Sequence, residues 1–247
     1  MNSKTYLAAA LLAATQLTAL NTSADTLSIS AGAGGWGQAS DGNFQKTSDP
    51  AAVDLNDNLF WQDETQTYAF VTFEHFVPII PNVRIMHTTL DQSGSGNTDF
   101  VFDGQNFSGQ VSNDFSFEML DLLAYYEVLD NVVSLDIGLT IRNITIDYNI
   151  VNGGAAVNDS VDETIPMLYG MVGASPWPDL IISGEMSYIS FDGSTMSDFI
   201  AKVAYTTDFF VGFEAGYRNL TLELDDVSET DADMSFDGVF AGAYVKF

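Results

Sequence analysis

Residues 133–141 read Val-Ser-Leu-Asp-Ile-Gly-Leu-Thr-Ile, with an apolar side chain at every odd position and a small or polar one between. Successive side chains of a β-strand point to opposite faces, so a period of two predicts a strand with one apolar face and one polar face. This stretch indicates a sheet that separates two different environments.

The same alternation recurs along the chain and predicts ten strands. They cover about 25–36, 66–76, 82–91, 115–127, 132–148, 163–174, 180–191, 196–206, 209–223 and 235–247. Strands of soluble sheets usually have about five or six residues, whereas crossing the hydrocarbon of a bilayer at a tilt takes roughly 9–11. We therefore predict an all-β fold, a single antiparallel transmembrane β-barrel of ten strands, or of eight if two short segments lie in loops.

The connections between these strands alternate in length. Four are short, at 77–82, 128–131, 175–179 and 206–208, and four polar segments at 37–65, 92–114, 149–162 and 224–234 are predicted as long loops. Short turns at one rim and long loops at the other are typical of outer-membrane barrels, whose short turns face the periplasm.

The N-terminus has the features of a secretory signal peptide. Lys4 precedes an apolar, Ala- and Leu-rich run at 5–20, and small residues at 22–24 end it. The run is shorter than the roughly 20 residues of a transmembrane helix. We predict a signal peptide at 1–24, a barrel at 25–247 and location in the cell outer membrane.

The C-terminal strand carries a resemblance to bacterial outer-membrane barrels. Its odd positions from Val239 onwards form an apolar alternation that closes on Phe247, and a terminal Phe is a feature of barrels delivered to the barrel assembly machinery. Residues 31–36 and 73–84 resemble an uncharacterised family of outer-membrane β-barrel proteins of about 250 residues, found in Gram-negative genomes with the GlyGly-CTERM sorting system. The resemblance implies assembly through Phe247 and contact with outer-membrane lipid and lipopolysaccharide. It supplies no catalytic residues.

Composition excludes several classes of function. The chain has 34 acidic against 7 basic residues, a formal charge of −27, so nucleic acid is not an expected partner. It has no cysteine, which excludes thiolate nucleophiles and Cys-ligated metal centres. No cofactor is predicted.

The polar faces of the strands predict a charged lumen. The inward set is predicted to be Arg84, Arg142, Lys202, Arg218, Glu74, Glu118, Asp136, Glu185, Asp198 and Glu214. Unpaired buried charges are costly, so we expect a salt-bridge network, either as a packed polar plug or as a gated passage.

Two strands change the parity of their apolar residues at a short repeat. The tetrads Arg142–Thr145 and Arg218–Thr221 share the order Arg-Asn-apolar-Thr. We predict a β-bulge at each, with the arginine turned inward; the alternative is a paired edge for barrel closure.

The predicted long loops hold the excess acid of the chain and attract cations. Residues 54–58, Asp-Leu-Asn-Asp-Asn, have the alternating oxygens of a calcium loop at Asp54, Asn56 and Asn58 but lack the Gly and Glu of an EF-hand. A solvated acidic surface that holds divalent cations loosely is the simpler expectation.

The two histidines decide the enzyme hypothesis. The chain is similar in strand number to the omptin proteases, ten-stranded barrels with acidic pairs and a histidine at the outer rim. His75 adjoins a short turn, and His87 is isolated, with Ser93 and Ser95 as conceivable partners in a flexible loop. A hydrolase is therefore the least favoured function, and none of these residues is predicted to be catalytic. We expect a narrow passive or gated pore or carrier for small solutes, or alternatively a structural or surface-interaction barrel with a plugged lumen and cation-binding loops.

Overall fold

The computed structural model describes residues 27–130 and 132–247, so the predicted signal peptide at 1–24 lies outside the described residues. The strands are β1 (Ser28–Lys46), β2 (Val53–Asp54), β3 (Glu64–Glu74), β4 (Asn82–Phe102), β5 (Gln105–Asp130), β6 (Val133–Asn152), β7 (Ala156–Trp177), β8 (Leu180–Phe191), β9 (Ser194–Thr206), β10 (Val211–Val227) and β11 (Thr230–Lys246). In this part of the chain no helix is long and apolar enough to cross a membrane.

Each long strand pairs with its neighbours in the sequence, and β11 returns to pair with β1. The closing seam runs antiparallel from Ser30↔Lys246 to Lys46↔Thr230. The two-residue β2 pairs only with β1, at its outer end. The predicted antiparallel ten-stranded barrel is confirmed, and closure leaves no free edge in the barrel wall.

The predicted β-bulges at Arg142 and Arg218 are wrong. Pairing is continuous through both positions, and the register shifts of β5, β7 and β10 lie near strand ends, between Glu127 and Leu129, Ala174 and Trp177, and Leu224 and Val227. The parity changes because the environment of the two faces changes: beyond each arginine the inner face becomes apolar and the outer face polar.

The long loops predicted at 92–114, 149–162 and 224–234 are largely strand. β4 and β5 continue to a two-residue turn at Asp103 and Gly104, both with positive φ, and β8 and β9 meet at Asp192 and Gly193 in the same way. Asp-Gly is favoured in such tight hairpins. β4–β7 therefore rise far above the 12- and 13-residue strands β8 and β9. We call this four-stranded extension the tall sheet and the opposite rim the short-turn end.

The outer surface of the barrel carries a belt of exposed apolar side chains. It includes Ile29, Val71, Phe73, Ile85, Leu120, Leu122, Ile137, Leu168, Val172, Ile182, Met186, Phe199, Val203, Phe213 and Val239. An apolar band about 25 Å tall is what a barrel presents to lipid. At the short-turn end, Phe210 and Phe247 stack with ring centroids 6.1 Å apart.

The connection between β1 and β3 folds under the tall sheet. Its Val53, Leu55 and Leu59 are fully buried and Trp61 nearly so. Asn113 of β5 clamps this segment, because its side chain accepts from Trp61 Nε1 at 2.8 Å and donates to the carbonyl oxygens of Leu59 and Gly94. The segment is therefore part of the hydrophobic core rather than a free loop.

Replacing Asn113 with alanine is expected to loosen this segment without unfolding the barrel. The Trp61 indole N–H and the carbonyl oxygens of Leu59 and Gly94 would lose a partner, which costs about 1–3 kcal/mol locally. Limited proteolysis should then cut within residues 47–63 several times faster than in wild type. Asn97→Ala, at an exposed β4 position, is the control, and equal cutting of both variants would show that the clamp is unimportant.

Candidate functional site

The candidate site is the lumen, which is filled in three levels. The outermost level, which we call the apolar layer, consists of buried side chains no more than 4% exposed: Trp36, Leu90, Met119, Ile144, Met167, Met196, Leu220 and Phe236. These residues belong to one contiguous hydrophobic cluster. The interior is therefore closed by a packed apolar core on the side of the tall sheet.

The middle level is a chain of four charges, which we call the ion network: Asp121, Arg142, Asp198 and Arg218. Arg142 donates to both oxygens of Asp121 at 2.6 Å and to Asp198 Oδ2 at 2.6 Å. Arg218 donates to Asp198 Oδ1 and Oδ2 at 2.9 and 2.7 Å. Two carboxylates and two guanidiniums balance, which makes their burial tolerable.

The apolar layer and the ion network are linked residue by residue. Four side chains of the apolar layer each lie two residues from a charged residue of the ion network, on the same strand face and on the side of the tall sheet. They are Met119, Ile144, Met196 and Leu220. Arg218 also donates to Thr88 Oγ1 at 3.0 Å, and its guanidinium carbon lies 4.7 Å from the Trp36 ring centroid. A cation over an indole face is stabilised by the ring quadrupole.

The innermost level faces the short-turn end and is centred on Glu185. This carboxylate bonds Arg84 Nη2 at 2.8 Å and Lys202 Nζ at 2.6 Å, and it accepts from the Tyr169 hydroxyl at 3.2 Å. Arg84 also lies 5.5 Å from the Tyr169 ring centroid.

Two further carboxylates on this level are held by tyrosines. Glu74 accepts from Tyr125 at 2.9 Å and from Ser28 at 2.8 Å, and Lys246 Nζ lies 3.6 Å away. Glu214 accepts from Tyr68 at 2.7 Å, with Lys202 at 4.0 Å. A Cβ on Gly34 would come 2.5 Å from the Tyr68 hydroxyl, so this position of β1 must remain glycine for Tyr68 to reach inward.

Below the ion network lies a cavity of about 260 Å³, which we call the chamber. Trp36, Arg218 and Phe240 bound it towards the apolar layer, and Thr206 and Lys246 bound it at the short-turn end. The chamber is therefore reached from the short-turn end and separated from the tall sheet by packed side chains.

The structure places nine of the ten predicted lumen charges inside the barrel and one outside. Glu118 was expected inside, but its side chain is 57% exposed on the outer surface, where its Oε2 lies 3.8 Å from His87 Nε2. The inward acid of β5 is Asp121, which the sequence interpretation missed. Both faces of β5 are apolar here, with Leu120 and Leu122 towards lipid and Met119 and Leu123 inside. Alternation of hydrophobicity therefore cannot tell the two faces apart.

Neither histidine lies in the lumen or beside a pair of acidic residues at the outer rim of the barrel. His87 lies on the outer face beside Glu118. His75 stays in the turn after β3, where Nε2 is 3.3 Å from the Pro81 carbonyl oxygen and Nδ1 accepts from the Val77 N–H. Ser95 Oγ contacts Ser112 Oγ at 3.0 Å rather than a histidine. These positions do not form a nucleophile and base pair.

The segment with calcium-loop spacing uses its oxygens internally. Asp54 Oδ1 accepts from the N–H groups of Asn56 and Asp57, and Asn58 Oδ1 accepts from the N–H of Asp54. Asn56 and Asn58 donate their amides to the Ser40 carbonyl oxygen and Thr98 Oγ1. This is a self-capped turn, and among the described residues no group of three or more acidic or histidine side chains converges on a possible metal position.

The tall sheet carries an open groove of about 890 Å³ with many carboxylates. Glu64, Asp91, Asp114, Asp147 and Asp159 line it. Burial, and after it the Asp159 and Asp103 carboxylates, raises the pKa of Tyr148 in this groove to about 12. The carboxylates that line the groove give it a negative potential.

Comparison with known proteins supports the fold. No protein-family model and no curated protein sequence matches the chain. Among solved structures, the outer-membrane protease OmpT from Escherichia coli is similar over 93% of this chain and 99% of its own, with 10% identity and a TM-score of 0.55. The transport unit of the autotransporter AIDA-I from Escherichia coli has 9% identity and a TM-score of 0.43, covering 99% and 98%. Ail of Yersinia pestis has 9% identity and a TM-score of 0.40, covering 90% and 100%. The chain thus has the fold of an outer-membrane β-barrel, and at this identity the likeness concerns the fold alone.

Proposed function

We propose that this protein is an outer-membrane barrel that is closed to passive flux and acts at the cell surface through its acidic tall sheet. The observation that carries the proposal is the apolar layer. Hydrated ions and polar solutes do not cross a packed apolar constriction, because they would lose their water without replacement. Of the two functions predicted from sequence, the geometry therefore favours the plugged surface barrel over the pore.

The distribution of charge supports a role outside the membrane. Among the described residues, Lys46 is the only basic side chain beyond the apolar layer, and it is bonded to Thr230 Oγ1 at 2.9 Å. The carboxylates of the tall sheet are therefore not neutralised by the protein itself. We propose that divalent cations or cationic surfaces gather there, with an affinity that falls as salt concentration rises.

The apolar belt and the C-terminus support the proposed location. Lipid and lipopolysaccharide would cover the belt, with the short-turn end in the periplasm. Phe247 closes the seam through backbone bonds with Ile29 in both directions, at 2.9 and 3.0 Å, and leaves its ring exposed. The exposed Phe247 ring is available to the barrel assembly machinery, which we propose as a partner during insertion.

A gated carrier is the second candidate, because the chamber already occupies the periplasmic half of the lumen. Transport would require the apolar layer to rearrange. We propose no enzymatic activity, since both histidines lie away from the lumen and from the acidic groove.

Single-channel recording tests the closed-lumen proposal. The refolded chain in a planar bilayer should give no discrete current steps, while a general porin in the same set-up gives them. Arg142→Ala/Arg218→Ala should remain silent as well, because the apolar layer lies above both arginines. Wild-type steps whose size changes in the double variant would overturn the proposal in favour of a pore through the ion network.

A further inference from the structure

One carboxylate in the chamber lacks the partners that all the others have. Asp136 of β6 is 5% exposed, and within the described part of the chain no donor bonds its Oδ1. Across β7, Ser183 of β8 is 7% exposed, and its Oγ also has no partner. Both residues line the chamber. A buried acceptor without a donor is costly, and two such acceptors on residues that line one cavity point to a ligand that supplies donors.

The charge of the chamber specifies the sign of that ligand. Its lining carries four carboxylates, Glu74, Asp136, Glu185 and Glu214, and three cations besides Arg218, namely Arg84, Lys202 and Lys246. Arg218 is committed to Asp198 in the ion network. The chamber is therefore one cation short, and Asp136 is the carboxyl group without an ion pair. Glu127 faces Asp136 directly across the β5–β6 pair and adds negative potential.

The geometry favours an ammonium group over a metal ion. A hard cation such as Ca²⁺ takes six to eight oxygen ligands, whereas an ammonium needs one carboxylate and a few neutral acceptors. The described residues contain no cluster of three or more candidate metal ligands. Phe70, Ile181 and Ala204 give the chamber an apolar wall beside its charges. Such a wall suits a short aliphatic body.

The positions of the two unpartnered acceptors set the length of the ligand. Gly173 of β7 pairs with Ser134 of β6 on one side and with Ser183 of β8 on the other, and Met171 of β7 pairs with Asp136 of β6. One strand, β7, therefore separates Asp136 from Ser183. Two strand spacings are about 10 Å and the two-residue offset along the strand is about 7 Å, so the two backbone positions are roughly 12 Å apart. A ligand that reaches both side chains must be several bonds long and polar at each end.

We propose that the chamber binds a small amino alcohol from the short-turn end, with its ammonium on Asp136 and its hydroxyl on Ser183. A cavity of 260 Å³ holds a molecule of this size and is too small for a drug-sized one. The site lies below the apolar layer, so binding there does not depend on the function of the tall sheet.

Titration calorimetry of the refolded full chain in detergent micelles tests the proposal, with 3-amino-1-propanol as the probe. Saturable binding is expected, and Asp136→Asn should weaken it at least about tenfold. Ser183→Ala should weaken it less, since it loses a neutral partner. Asp192→Asn, at the exposed turn between β8 and β9, is the matched control and should bind as wild type does.

A comparison that needs no variant uses 1-propanol, which lacks the ammonium, and propionate, which reverses the charge. Neither should bind the wild-type protein measurably at concentrations that saturate with the amino alcohol. The proposal is overturned if the wild type shows no saturable binding of the probe, if 1-propanol binds equally well, or if folded Asp136→Asn retains wild-type affinity.

Discussion

Asp198→Ala is expected to lower the free energy of unfolding by about 3–5 kcal/mol, because it removes the carboxylate shared by two buried guanidiniums. Asp198 accepts from Arg142 at 2.6 Å and from Arg218 at 2.9 and 2.7 Å, and all three side chains are no more than 4% exposed. Without it, Arg142 would be paired with Asp121 alone, and Arg218 would keep only its hydrogen bond to Thr88 Oγ1. Urea unfolding in lipid vesicles, followed by tryptophan fluorescence, measures the change.

The matched control is Asp147→Ala, which removes a carboxylate from an exposed position of the same barrel. Its effect should stay within about 0.5 kcal/mol. If both variants unfold at the same urea concentration, the ion network does not stabilise the barrel. If Asp198→Ala refolds to a lower folded fraction than wild type, that outcome also agrees with the predicted loss of stability.

The barrel could be predicted from sequence because each strand, over about half of its length, has one apolar face and one polar face. In residues 133–141 the odd positions meet lipid and the even positions point into the charged lumen, so hydrophobicity alternates visibly. Tight turns between strands and an apolar C-terminal strand gave the topology. Closure then follows, since an open sheet of this size would leave edges unpaired in lipid.

The outer half of the barrel could not be predicted in the same way, because there the inner face is apolar and the outer face is polar. Beyond Arg142, Ile144 and Ile146 pack inside while Thr145 and Asp147 face water. An inversion of environment and a one-residue bulge both shift the apolar positions by one, so the sequence pattern is the same for either. The parts of the strands that continue above the membrane are polar on their outer face, which is why these segments were predicted as loops.

The lumen charges were harder to assign where both faces of a strand are apolar. Glu118 and Asp121 of β5 differ in parity, and the neighbouring leucines and methionines fit either choice. Only the pairing of Asp121 with Arg142 settles the side. The isolation of Asp136 is less readable still, because it depends on where every other donor of the lumen is engaged.

Trp36→Ala is expected to be the most damaging single truncation in the apolar layer. Trp36 is fully buried, lies opposite Phe240 in the seam and covers the guanidinium of Arg218. Truncating a buried tryptophan to alanine costs about 3–5 kcal/mol through lost burial and the cavity left behind. The loss also exposes Arg218 to the cavity, which removes its cation–π contact.

Trp177→Ala is the matched control, because it makes the same chemical change at a side chain that is 67% exposed near the short-turn end. A shift of the urea midpoint confined to Trp36→Ala would show that the interior packing of the lumen stabilises the barrel. Equal midpoints would mean that the lumen core contributes little and that strand pairing and lipid contact carry the stability. Trp36→Phe separates the two parts of the effect: it retains an aromatic face over Arg218 but loses volume, so an intermediate midpoint is expected if both the packing and the ring–cation contact matter.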